Sequence, residues 1–521
     1  MLKPYLKILM KTVSAIMLLA FVSAVVVYFA FLTPQKRAAK HLDFVHQSIT
    51  EMHPAVLDPS ATEFQAWYKT GYEKTKALLP LVHSTAAEQA LLNYYLVGYK
   101  DSHLSGGIAY SRYSLLERTK EEWAGWLLKA TTQGYEVTFS LGGGNYPEVG
   151  HQLLSCDGQP IEELLQNHYS PYVDARWNLL IARDKVAKTL TQKAMGYDVL
   201  ARPEIAQCLF KSSSGEEKQF PFVWQKLDEK AKQHINALTY KTYTYPSLTR
   251  KADGVAWVNV SDFKLNTPEA YAHHQQLLKD LASLHRNETL IFDLRLNAGG
   301  NSDFGDEILT AAFGKNGWIY LMVQLVEKFG NSESFYRPSW SFYWSRDYMI
   351  KQVKLSQGEN SSEAKWLSAI NARMKKALEN NEQQFSQQEV FGGLADNSAE
   401  VESANWSYRG KVIILTDKRC VSSCLNFVDR LKQIPNVLHW GEPTSADTVY
   451  TEVTDMWHDY HEDAYRFMVP VKQWNHRARK DNEPYIPDSV FNGNIYDDAA
   501  VEQWVLEKLD HLRESTNPLA Q

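Results

Sequence analysis

The segment around Ser422 constrains the fold of this chain more than any other. Lys411-Val-Ile-Ile-Leu-Thr-Asp417 is a β-branched run that stops at a polar turn, Lys418-Arg-Cys-Val-Ser422, and the chain then becomes apolar-periodic as far as Leu431. That pattern reads as strand, turn and helix. A serine on such a turn stands at a helix N-terminus, where backbone N–H groups point at any developing anion. Two further segments share this character. Leu290-Ile-Phe-Asp-Leu-Arg-Leu-Asn-Ala-Gly-Gly300 is a buried strand entering a Gly-Gly loop, and Val437-Leu-His-Trp-Gly-Glu-Pro-Thr444 follows the helix.

From about residue 240 onward, strand and helix patterns alternate. Gly254 to Phe263, Thr289 to Leu294, Lys411 to Thr416, Val437 to Trp440 and residues 464 to 473 read as strands. Pro268 to Leu284, Phe304 to Phe313 and Ala499 to Arg513 read as helices, and Trp318 to Phe329 as extended chain. The alternation indicates a layered α/β core. Residues 330 to 405 read as an insertion, aromatic at first and then rich in Glu, Gln and Asn, with a solvated helical part from Lys351 to Asn380. Upstream, Lys40 to Met52, Thr62 to Leu79 and Ala86 to Lys100 carry apolar residues at helical spacing, punctuated by Pro54, Pro59 and Pro80. Between these regions, Gly134 to Leu141 alternates like a strand, Val186 to Tyr197 reads helical and Ala206 to Trp224 returns to strand.

A chain of 521 residues exceeds one ordinary core, and 44% hydrophobic content is that of a globular protein. A formal charge of -6 argues against nucleic acid as a partner. Lys3, Lys7 and Lys11 precede Thr12 to Thr33, about 22 uncharged residues, which is enough to span hydrocarbon. The run ends Val-Tyr-Phe-Ala-Phe-Leu-Thr, a poor cleavage site, so an uncleaved anchor is the expectation. Of the four cysteines, Cys420 and Cys424 flank Ser422 one helical turn apart. They read either as a short disulfide in an oxidising compartment or as two buried thiols. His458-Asp-Tyr-His461 lacks metal spacing, and neither a P-loop nor a dinucleotide fingerprint is present, so neither metal nor cofactor is expected.

The Ser422, Gly299-Gly300 and Gly441-Glu-Pro-Thr444 segments, in this order, resemble the tail-specific (C-terminal-processing) serine protease family and its tricorn-core relatives. The resemblance covers roughly 250 to 505, together with Asp101-Ser102-His103. It implies a ClpP/crotonase-like α/β protease core at 236–513 and an extracytoplasmic body, behind the membrane anchor expected at 1–33 from the apolar run. A helical cap is expected at 34–112. Gly150-His-Gln-Leu-Leu-Ser-Cys-Asp-Gly-Gln-Pro160 resembles part of a PDZ module, so 113–235 is expected to be PDZ-like.

Serine is a weak nucleophile near neutral pH and needs a base and oxyanion donors. Ser422 supplies the hydroxyl, with Ser423 N–H and the Gly299-Gly300 loop as donors. Many family members use a lysine shortly after Gly-Glu-Pro-Thr; here Asp447 stands there, and Leu425 replaces a glutamate common in the serine motif. These departures point to the tricorn-like branch with a histidine base, which matches His103, with Ser102 beside it. The carboxylate that orients the base is Asp481 by spacing, Glu483 by residue type, or Asp447 by position. The implied function is that of a serine peptidase acting on peptides or proteins, in the inner membrane with its body in the periplasm. The alternatives are a non-catalytic lipid- or ligand-binding protein on the same fold, or an esterase for small substrates.

Overall fold

The computed structural model describes residues 2–27, 33–111, 121–193, 199–229, 231–233, 244–251, 254–265, 267–392, 404–461 and 463–516. A six-stranded sheet organises the second half of the chain, in the order Ser247–Lys251, Val255–Asn259, Thr289–Asp293, Val412–Thr416, Leu438–Gly441, Ser489–Val490. The first pair is antiparallel and all other neighbours are parallel. Thr289–Asp293 and Val412–Thr416 are buried along their whole length. Helices cover both faces, which is why these strands read as continuous apolar runs. Pro268–Ala282, Ser302–Phe329 and Ser423–Leu431 pack on one face around Phe292, Ile414 and Phe427. Asp498–Thr516 covers the other face, against Ile291, Ile413 and Trp440. The result is the layered α/β core that the alternation implies.

One expectation is overturned. Trp318 to Phe329, read as extended, belongs to the helix Ser302–Phe329, which bends at Gly314 where φ is 74°. Its aromatic and β-branched residues favour strand by propensity, but the burial of Ile319 and Leu321 against the core decides for helix.

A second, antiparallel sheet is built on the hairpin Tyr450–Asp459 and Asp463–Trp474. Ser105–Ser111 pairs with the first half of the second hairpin strand, from Ser105↔Met468 to Ser111↔Asp463. Ser334–Tyr336 pairs with its end and carries Phe385–Ser386. The N-terminal helices Pro34–Met52, Thr62–Lys76 and Thr85–Val97 lie over this sheet and share one core with it, including Leu42, Val45, Tyr95, Phe467 and Val469. A buried ion cluster adds to the attachment: Arg37 Nε donates to Asp463 Oδ2 at 2.8 Å and lies 3.3 Å from Glu88 Oε2. The insertion contributes Trp340–Gln357 and Ser362–Glu379. Among the described residues no helix is long and apolar enough to cross a membrane, and part of the expected span at 12–33 lies outside them.

The middle region is an antiparallel sheet, Trp126–Thr131, Gly134–Ser140, Gln152–Cys156, Gln207–Lys211 and Glu217–Pro221, with helix Leu180–Thr191 packed on it. This is compatible with a PDZ-like module. The helix ends before the expected stretch to Tyr197, part of which lies outside the described residues. Cys156 and Cys208, 52 residues apart, face each other across neighbouring strands and form a disulfide. Closing a loop of that length removes chain entropy worth about 4 kcal/mol from the unfolded state. The double variant Cys156→Ser/Cys208→Ser should therefore lose up to about that much stability in chemical denaturation followed by tryptophan fluorescence. A change below about 1 kcal/mol would show that this loop is already restricted in the unfolded chain.

Candidate active site

The loops that leave the carboxyl ends of the parallel strands converge on one place, as expected for an open α/β sheet. The loop after Thr289–Asp293 carries Gly299 and Gly300, the turn after Val412–Thr416 carries Ser422, and the loop after Leu438–Gly441 carries Asp447. Asp417, fully buried, joins the first two: its Oδ2 accepts from Leu296 N–H at 3.1 Å and its Oδ1 from Arg419 N–H at 3.0 Å.

Ser422 is the N-cap of the nine-residue helix Ser423–Leu431 and has φ 60°, ψ -125°. A non-glycine residue in that region is strained, and such strain is found where a side chain is thrust out of a turn toward a site. The Ser422 hydroxyl lines a pocket of about 340 Å³ together with Asp447, Arg477, Met322, Val326 and Trp474. The flanking Cys420 and Cys424 form a disulfide and are fully buried, so the turn is closed covalently around the serine.

Gly299 shows why this loop carries glycine where it meets the Ser422 turn. A Cβ there would lie 2.9 Å from Ser422 Cβ and 3.0 Å from Ser423 N, and φ is +88°. Gly299 N–H is engaged, donating to Asn297 Oδ1 at 2.9 Å. Gly300 is pressed against Phe263, whose carbonyl a Cβ would meet at 2.1 Å. Ser423 Oγ donates to Gly300 carbonyl oxygen at 2.6 Å and pins the two loops together. Among the described residues, the N–H groups of Gly300 and Ser423 have no hydrogen-bond partner. The oxyanion expectation thus divides: Gly300 and Ser423 have free donors, and Gly299 provides clearance.

His103 comes from the distant segment between helix Thr85–Val97 and strand Ser105–Ser111. Its Nδ1 stands 3.6 Å from Asp101 Oδ1, which also accepts its backbone N–H at 2.9 Å. Asp101 Oδ2 faces His53 Nε2 at 3.1 Å, and His53 Nδ1 accepts Ala55 N–H at 3.1 Å, which leaves the His53 Nε2 proton for Asp101. Burial presses the His103 pKa down, but the nearby Asp101 carboxylate and then the charge of Asp447 outweigh it. The imidazole therefore sits above its ordinary 6.5, with Arg477 opposing. Burial would raise Asp101, yet its two histidine neighbours hold it well below the carboxylate range. Among the described residues no hydrogen bond joins Ser422 and His103, and His103 is not among the residues lining the Ser422 pocket.

The candidate carboxylates fall in different places. Asp481 accepts Val449 N–H at 2.8 Å and Glu483 accepts Lys480 N–H at 3.0 Å; among the described residues neither forms a hydrogen bond or ion pair with His103. Asp447 is 1% exposed and paired with Arg477 at 2.6 Å and Arg479 at 2.7 Å. Burial would raise its pKa, but the two guanidinium groups win and keep it low. Ser102 Oγ is buried without a hydrogen-bond partner and lines a separate cavity of about 180 Å³. Asp101 is the carboxylate the sequence reading passed over, although its place two residues before His103 is a turn signal. Replacing Asp447 by Asn should lower the His103 pKa, because a charge that holds the proton is removed. The imidazole would then be neutral to lower pH, as an NMR titration of histidine-labelled protein would read. An unchanged or raised value would show that Asp447 does not act on the imidazole.

Residues 254–488 match the family model described as Peptidase family S41. No curated protein sequence matches the chain. Among solved structures, mature CPAF superposes with a TM-score of 0.57 at 13% identity, over 94% of this chain and 99% of that one. Mature CPAF complexed with lactacystin gives 0.56 at 13% identity, over 91% and 98%. At such identities the likeness is one of fold.

Proposed function

With residues 254–488 a domain of peptidase family S41, the chain is a serine-type peptidase, and we propose that Ser422 is its nucleophile and His103 its base. The observation that carries this reading is the Ser422 turn: a strained serine at a helix N-terminus, beside a side-chain-free loop, with two unengaged N–H groups alongside. In this reading the hydroxyl attacks a peptide carbonyl, and His103 takes its proton and returns it to the leaving amine. The N–H groups of Ser423 and Gly300 receive the oxyanion. Asp101 orients the imidazole, and Asp447 supports its positive charge from the other side. The substrate is a peptide or protein, as the family implies.

The working compartment is proposed to be extracytoplasmic, with the apolar run at 12–33 as an anchor. The two disulfides support this, because they account for all four cysteines of the chain, and such bridges persist in oxidising surroundings.

Ser422→Ala should abolish peptide hydrolysis and labelling by a fluorophosphonate probe while the fold is retained. His103→Ala should slow turnover by a factor on the order of 10⁴. The acid limb of the pH–rate profile should lie above the ordinary histidine value of 6.5, because the base is competent only when neutral and its pKa is raised. Full activity in either variant, or probe attached to Ser423, would refute the assignment.

A further inference from the structure

We propose that Arg479 is a positioning residue of the active site, a buried cation that ties the Ser422 helix directly to Asp447. The inference rests on the reading of Ser422 as nucleophile and His103 as base. Arg479 is 5% exposed. Its Nε donates to Asp429 Oδ1 at 2.8 Å, Nη1 to Asp447 Oδ1 at 2.7 Å and Nη2 to Asn426 Oδ1 at 3.3 Å.

Two of those partners lie on the helix that begins at Ser422. Asn426 N–H donates to Ser422 carbonyl oxygen at 3.2 Å, and Asp429 follows almost a turn later. The third partner, Asp447, lines the same pocket as Ser422 and belongs to a different loop. One planar guanidinium therefore spans the helix that carries the hydroxyl and the loop whose Asp447 lines the same pocket. The other arginine at Asp447 does not do this. Arg477 donates to Asp447 Oδ1 and to Thr448 carbonyl oxygen, both on the same loop.

Charge makes the link obligatory. Asp429 and Asp447 are both buried, and without a cation between them their carboxylates would face each other in a poorly solvated site. Tyr485 adds a hydrogen bond to Asp429 Oδ1 at 2.7 Å but brings no charge. Lysine would not replace arginine here, since a point ammonium on a flexible stem does not hold three acceptors in one plane.

The test uses the purified full chain and the rate at which a fluorophosphonate phosphonylates its serine with loss of fluoride, which needs no identified substrate. Arg479→Met should cut the maximal inactivation rate about tenfold or more, leaving the concentration for half-maximal rate unchanged, as expected for a misplaced reacting group. Arg479→Lys should not rescue it. The double variant Arg479→Met/Asp447→Asn should be no slower than the slower single variant, because both act through one link. A wild-type rate in Arg479→Lys, or losses that multiply in the double variant, would overturn the proposal. If Arg479→Met loses its native near-ultraviolet dichroism, Arg479→Lys and the Asp447→Asn cycle built on it decide. Probe on a residue other than Ser422 in the wild type is a separate result: it would refute the nucleophile assignment, whatever the Arg479 variants do.

Discussion

The close approach of the Gly299 loop to the Ser422 turn is the constraint on which the rest of the site depends. Any Cβ at residue 299 would stand 2.9 Å from that of Ser422, so the two loops touch only because one of them has no side chain. The contact holds because the strands beneath are neighbours: Thr289–Asp293 and Val412–Thr416 pair in parallel, and their carboxyl ends deliver both loops to the same edge. Asp417 and Ser423 then lock them by hydrogen bonds to Leu296 and Gly300. The helix N-terminus, the strained serine and the free N–H groups all gain their meaning from this contact.

The proposed base arrives by another route. Asp101-Ser102-His103 lies more than 300 residues before Ser422 in sequence, outside the strands of the six-stranded sheet. It is placed by Ser105–Ser111, which pairs with Asp463–Trp474, and by helices that share a core with that hairpin. The hairpin in turn leads into the run that carries Arg477 and Arg479, and these arginines grip Asp447. In the proposed reading the nucleophile and the base stand on separately packed units, joined by a network of buried charge. Buried pairs of this kind cost desolvation and return it only when every partner is in place, so the network specifies geometry more than it adds stability.

Much of the α/β unit that carries Ser422 was legible in the sequence because its signals are local. The β-branched run before Asp417, the turn at Ser422 and the Gly-Gly loop each state a conformation within a dozen residues. One-turn spacing also made a Cys420–Cys424 bridge conceivable, and the structure closes it. What escaped depends on tertiary neighbours. Cys156 and Cys208 meet only through a strand register, and Asp101 faces His103 only because a turn folds back on itself. Arg479 reads as one charge in a polar run until Asp429 and Asp447 close around it. Trp318 to Phe329 misled because strand propensity and helical burial compete in the same residues, and burial won.

The central claim is that one serine, one imidazole and two backbone donors meet around a tetrahedral carbon. The most direct measurement is a crystal structure of the chain with a peptide boronate bound. The account predicts a covalent bond from boron to Ser422 Oγ, one boronate oxygen within about 3 Å of both Ser423 N and Gly300 N, and a His103 ring nitrogen within about 3.2 Å of the other oxygen or of Oγ. A boronate bonded elsewhere, or one bonded to Ser422 with its oxygens turned away from those two donors and His103 out of reach, would contradict it.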